Sequence, residues 1–203
     1  MIDLIRAIAA RDQGEVARML AASPALATSA VTAGATRQEA APYYLDQIGH
    51  YVYAGDTALH IAAAAYDTRL VPTLLAMGAD TGARNRRGAQ PLHYAADGAP
   101  GSGSWNPQAQ ATVIAALIAA GADPNATDSS GVAPLHRAVR TRCSAAARAL
   151  LDGGADPRQP NRSGSTPLDL ATRPTGRGGS GSPEAKAEQA EIVKILEHHG
   201  ARP

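Results

Sequence analysis

Short apolar stripes at helical spacing alternate along this chain with polar stretches that carry glycine and proline. Leu4, Ile5 and Ile8 share one face of an opening helix, and Val16, Met19 and Leu20 share one face of the next, with Gly14 between the pairs and Ser23-Pro24 closing them. Arg6, Arg11 and Arg18 are left for the outer, polar side. Val113, Ile114, Leu117 and Ile118 repeat the pattern farther on and give a helix one buried stripe. At the C-terminus Glu191, Lys194, Glu197, His198 and His199 are the residues available to solvent.

The stripes are framed by two recurring markers. The first is Gly55-Asp-Thr-Ala-Leu-His60, Gly88-Ala-Gln-Pro-Leu-His93, Gly131-Val-Ala-Pro-Leu-His136 and Gly164-Ser-Thr-Pro-Leu-Asp169, with glycines 33, 43 and 33 residues apart. The second is Gly78-Ala-Asp80, Gly121-Ala-Asp123, Gly154-Ala-Asp156 and a truncated Gly200-Ala201. In the first marker Thr166-Pro167 supplies a helix N-cap followed by a first-turn proline. In the second, glycine stands where a helix ends in a left-handed residue. Pro72 falls inside the second helix of the first full unit, where an interior proline costs about 3 kcal/mol, so that helix is expected to start late.

On these residues the chain resembles the ankyrin-repeat family over about residues 50 to 203. The resemblance implies an all-α ankyrin-repeat solenoid of helix-turn-helix units with short extended fingers, here with three loop insertions. It implies a single domain over residues 1–203: a capping helix pair over 1–26, an insertion and first finger over 27–54, repeats over 55–87, 88–130 and 131–163, and a C-terminal capping repeat over 164–203. A polar outer face suits the terminal units. It also implies that His60, His93 and His136 make hydrogen bonds between repeats rather than bind metal.

The insertions distinguish this chain from a minimal array. The first, residues 27–54, contains Gln38 through Tyr53; the second runs from Gly98 to Pro107 and the third from Arg173 to Pro183. The second and third lie between the two helices of a unit, and each carries Gly-Ser-Gly-Ser shortly before a proline. Asn106-Pro107 and Ser182-Pro183 read as N-cap and first-turn pairs. Neither loop has the Gly-Lys-Ser/Thr ending of a phosphate-binding loop, and both read as flexible connections.

Composition narrows the function. Hydrophobic residues make up 44% of the chain but aromatics only 3%, with no Phe, so the core is built from Ala, Leu, Val and Ile. A formal net charge of +1 excludes wholesale attraction to nucleic acid or anionic membrane. With no signal-like N-terminus or long apolar run, a cytoplasmic monomer without a membrane or nucleic-acid partner is expected. Cys143 is the single cysteine and reads as a helix residue; no cofactor fingerprint and no metal constellation is present, so neither a cofactor nor a metal is expected.

All the aromatics fall between Tyr43 and Trp105, where exposed rings offer contact area at low entropic cost. In the ankyrin resemblance the concave side is formed by finger positions, here Tyr51, Tyr53, Arg84, Arg86 and Arg162, and by first-helix ends, here Asp97, Arg140 and Arg173. Arg87, Tyr94 and Trp105 complete the expected partner-binding set. The groove should run from aromatic to basic, and guanidinium groups suit an acidic peptide or protein partner. The alternative is a small-molecule site or enzyme pocket formed by the Tyr-rich insertion, His50 and the Trp105 loop. There Asp46, four residues from His50 on a short helix and beside Tyr51, would orient the imidazole as a general base.

Overall fold

The computed structural model describes residues 1–100, 105–173 and 183–201. Helices α1 (Ile2–Ala9) and α2 (Gln13–Ala22) open the chain, followed by a short 3-10 turn at Pro24–Ala27. A two-stranded antiparallel hairpin, β1 (Tyr44–Leu45) and β2 (His50–Tyr51), precedes the repeats. The repeats are the pairs α3 (Ala58–Ala64) with α4 (Leu70–Ala76), α5 (Pro91–Ala96) with α6 (Pro107–Ala119), α7 (Pro134–Arg140) with α8 (Ser144–Asp152), and α9 (Pro167–Thr172) with α10 (Pro183–His198). The first helices stack in one row, α1 on α3, α3 on α5, α5 on α7 and α7 on α9. In the second row α6 packs on α8 and α8 on α10. This is an all-α repeat solenoid.

The row is close-packed because its contact residues are small. Ala62, Ala63, Ala95, Ala96 and Ala138 are wholly buried between neighbouring helices, with Leu59, Leu92 and Leu135 filling the space beside them. The same histidine bond recurs at each step. Nδ1 of His60, His93 and His136 accepts the backbone N–H of Thr57, Gln90 and Ala133 at the start of its own helix. Nε2 then lies 3.1, 3.0 and 3.2 Å from the carbonyl oxygen of Ala89, Val132 and Ser165 in the next unit. With Nδ1 accepting, Nε2 carries the proton and donates, so the imidazole is neutral.

Helix ends follow the markers. Gly78, Gly121, Gly154 and Gly200 have φ of 86, 93, 94 and 88°, a conformation open to glycine at little steric cost. The following alanine N–H then bonds back to Leu74, Leu117, Leu150 or Leu196, which closes the last turn. Pro72 is the third residue of α4, within the first turn where no intrahelical N–H is needed, so the late start expected of this helix is what the structure has. Asp67 takes over the cap, accepting the N–H of Leu70 at 2.9 Å. Asn106 accepts the N–H of Ala109 at 2.9 Å and Pro107 opens α6. Asn106→Ala is expected to lower unfolding free energy by about 1 kcal/mol in a urea titration; an unchanged midpoint would assign the helix start to Pro107 alone. The Ser182 cap and most of the third insertion lie outside the described residues, as do residues 101–104 of the second.

Cys143 is not inside a helix but immediately precedes α8, fully buried. Burial pushes its thiol up to about 12, so it is protonated at neutral pH and not a nucleophile.

Candidate functional site

The first insertion is folded onto the first repeat. Ala30 bridges Thr57, the N–H of Val31 bonds the carbonyl of Asp56 at 2.8 Å, and the N–H of Ala35 bonds the carbonyl of Val52 at 2.7 Å. Val31, Leu45 and Val52 sink into the core from this segment. Residues 46–49 form the turn of the hairpin, with Gly49 at φ 62°. The short helix expected over Asp46 to His50 is therefore corrected to a hairpin, in which His50 pairs with Leu45. A left-handed glycine cannot continue a helix, and aromatic and β-branched neighbours favour the strand. No hydrogen bond joins Asp46 to His50 among the described residues, so the carboxylate does not orient the ring.

His50 instead lies flat on Tyr94, ring centroids 4.9 Å apart and planes 23° from parallel. Burial holds its imidazole below the usual histidine range, against the opposing pull of the Asp97 carboxylate, so it is neutral at pH 7. Tyr94 is corrected from a surface contact to a core residue, 2% exposed. Its hydroxyl donates to Asp56 Oδ2 at 2.9 Å, and Asn85 Nδ2 donates to Asp56 Oδ1 at 2.9 Å. Tyr53 N–H also donates to Asp56, at 2.7 Å. A buried carboxylate thereby ties the insertion, the first repeat and the second finger together.

Two cavities flank this stack and share Gly49, His50 and Asp97 as wall. The larger, 430 Å³, is lined by Asp46, Tyr66, Trp105, Arg11 and Thr141 among others. Tyr66 donates its hydroxyl to the Asp97 carbonyl, Trp105 Nε1 donates to Gln110 at 2.9 Å, and Arg11 donates to the Ala65 carbonyl at 3.0 Å. The smaller, 200 Å³, is lined by Tyr51, Tyr53, Arg87, Arg137 and Arg140. Arg137 bridges Asp97 and Asp128 at 2.9 and 3.0 Å.

The expected succession from aromatic to basic is not what the groove presents. Arg86 and Arg87 stack on the Tyr53 ring, 5.4 and 5.1 Å from its centroid, because a guanidinium is attracted to an aromatic face. Arg86 also holds the Ala35 carbonyl, and Arg87 donates to the Tyr53 hydroxyl at 2.9 Å. Arg84 donates to the carbonyls of Gly88 and Thr127, and Arg173 to Ser165 Oγ at 3.2 Å. Arg140 and Arg162 are exposed. The structure thus gathers Tyr51, Tyr53, Arg87, Asp97 and Arg140 in one cleft and Trp105 in the adjoining cavity, while Arg162 and Arg173 stand outside both.

Asp56, Tyr66 and Thr141 were not among the site residues expected from the sequence, and Arg11 was placed only on the polar outer side. A signal for Asp56 existed: it follows the marker glycine where the other units have Ala89, Val132 and Ser165. Its partner Tyr94 stands where they have Ile61, Arg137 and Leu170. Tyr66 and Arg11 share a hidden feature, since both are left-handed residues, φ 52 and 57°, at a first-helix end.

A row of like helices linked through one repeated histidine bond defines a helical repeat array. Models described as "Ankyrin repeat" match residues 54–86 and 87–129, and one described as "Ankyrin repeats (many copies)" matches residues 117–171; the chain belongs to the ankyrin-repeat family. No curated protein matches it. Ankyrin repeats generally mediate protein–protein interaction, and a binding or adaptor role is consistent with that. No described helix is long and apolar enough to cross a membrane.

Proposed function

We propose that this chain is an adaptor that takes up an acidic segment of a protein partner along its concave face. The reading is carried by Arg140, whose side chain is 55% exposed beside the cleft lined by Tyr51, Tyr53 and Arg87. Such a group offers paired hydrogen bonds to a carboxylate, and the phenol rings add contact area. Arg162, with Arg84 and Arg173, extends the basic surface beyond the cleft. In this reading residues 1–26 cap the array, 27–54 wall the groove, and 55–87, 88–130, 131–163 and 164–203 are its successive units.

The test is fluorescence anisotropy with labelled acidic, neutral and basic peptides of equal length. Acidic peptides are expected to bind, and Arg140→Ala with Arg162→Ala to weaken them roughly tenfold or more, about 1.4 kcal/mol. Equal binding of the basic series, or unchanged affinity in a natively folded double variant, contradicts the reading. Arg86→Ala is unsuited to this purpose because Arg86 seats the insertion on Ala35 and Tyr53.

A second reading is favoured by the 430 Å³ cavity, whose size falls among small-molecule sites and whose walls include His50, Asp46 and Trp105. It requires a metabolite that raises the melting temperature of the wild type and not of Trp105→Ala. A screen in which no compound does so removes it.

A further inference from the structure

The guanidinium groups of the concave face differ in how many donors they keep free. Arg137 spends one nitrogen on Asp97 and another on Asp128, and its Nε is buried without a hydrogen-bond partner. Arg87 gives one nitrogen to the Tyr53 hydroxyl. Arg140 approaches a single carboxylate, Asp97, at 4.0 Å, which is beyond hydrogen-bond length. Asp97 is shared: its Oδ2 is hydrogen-bonded by Arg137 at 2.9 Å, and only its Oδ1 faces Arg140. Arg87, Arg137 and Arg140 therefore line one 200 Å³ cleft; Asp97 is the carboxylate among its lining residues, and Asp128 pairs with Arg137 from outside the lining, which leaves Arg87 and Arg140 without a hydrogen-bonded carboxylate among the described residues.

We propose that this cleft is an oxyanion site, in which a carboxylate or phosphate of the partner is held by the guanidinium groups of Arg87 and Arg140 beside His50 and Tyr51 of the inserted hairpin. The inference rests on the concave face being the binding surface and adds to it the position and chemistry of the anchor. Planar guanidinium groups take such oxygens in pairs, and the adjacent rings shield the contact from water. A cleft of 200 Å³ has room for one head group and its nearest atoms. The hairpin supplies part of the wall, so residues 27–54 are a recognition element rather than a spacer.

The test is a pair of titrations of the full chain at constant ionic strength, one with inorganic phosphate and one with succinate, followed by ¹H–¹⁵N spectra of arginine Nε–H and backbone amides. Saturable shifts are expected at Arg87, Arg140 and His50 but not at Arg162, and loss of saturation in Arg140→Gln with Arg162→Gln unaffected. The two arms tell a phosphate head from a carboxylate head. No saturable shift with either anion, or shifts that survive in Arg87→Gln/Arg140→Gln, overturns the site. If acidic peptides bind while both anions leave the cleft unmoved, the adaptor reading stands and this anchor falls. If the anions bind there while acidic peptides do not, the anchor stands and the peptide reading falls.

Discussion

Asp56→Ala is expected to cost about 3–5 kcal/mol of unfolding free energy, a large share of the 5–15 kcal/mol that holds an ordinary domain together. The carboxylate is completely buried and accepts from Tyr53 N–H, Asn85 Nδ2 and the Tyr94 hydroxyl. Alanine takes the acceptor from the Tyr53 N–H and the Tyr94 hydroxyl and leaves Asn85 Nδ2 only its second bond, to Tyr94 Oη at 2.9 Å, all in a buried site. Hydrogen bonds to a charged acceptor are the more costly ones to lose. Tyr94→Phe removes one donor to Asp56 and one acceptor of Asn85 Nδ2, which keeps its bond to Asp56, and should cost only about 1–3 kcal/mol. Urea unfolding followed by far-UV circular dichroism measures both. A loss below about 1 kcal/mol for Asp56→Ala would mean that water replaces the carboxylate and that the insertion is not seated by it.

Acid should weaken the array through its histidines. Burial holds His93 down to about 4 and lowers His60 and His136 in the same direction. In the unfolded chain these rings titrate near their ordinary value of about 6.5, so below that pH the unfolded state binds more protons than the folded one. Their contribution is therefore complete above about pH 6.5 and declines below it, that of His93 disappearing as pH falls towards 4. His93 alone accounts for about 3 kcal/mol over that span. The structural reason is that a proton added at Nδ1 would face the N–H of Gln90 instead of accepting from it. Melting temperatures should be nearly level from pH 8 to 7 and drop steeply below pH 6.5. A curve still flat at pH 4.5 would contradict the neutral, doubly bonded state of these rings.

The repeat frame was readable because it is written in local chemistry: a proline that opens a helix, a glycine that ends one, and a histidine that serves both its own unit and the next. The inserted hairpin was not. Asp46 and His50 have the spacing of helical neighbours, but Gly49 takes a left-handed turn and His50 is drawn across onto Tyr94. The position of a side chain that stacks between two segments far apart in sequence is set by tertiary packing. The basic surface was legible residue by residue, yet not its internal pairing, since Arg86 and Arg87 both lie against the Tyr53 ring and Arg137 is held by two carboxylates. Asp56 and Tyr94 were each visible as unusual choices at repeat positions, and their partnership follows once the two positions are known to meet.

Three first helices are followed by a left-handed residue two positions past their end, Arg11, Tyr66 and Arg142, and lead to their second helix by a short turn. The other two end in the extended residues Asp97 and Arg173, where the longer connections depart. This junction is where chain length can change while the stacking period does not, for doubling a flexible connection costs only about 0.6 kcal/mol in closure entropy. Gly98 and Ala99, the first residues past one such junction, form part of the rim of the 430 Å³ cavity. Selection acting on loop length there can reshape what the cavity admits in small, nearly independent steps, leaving the histidine-linked row to be inherited unchanged.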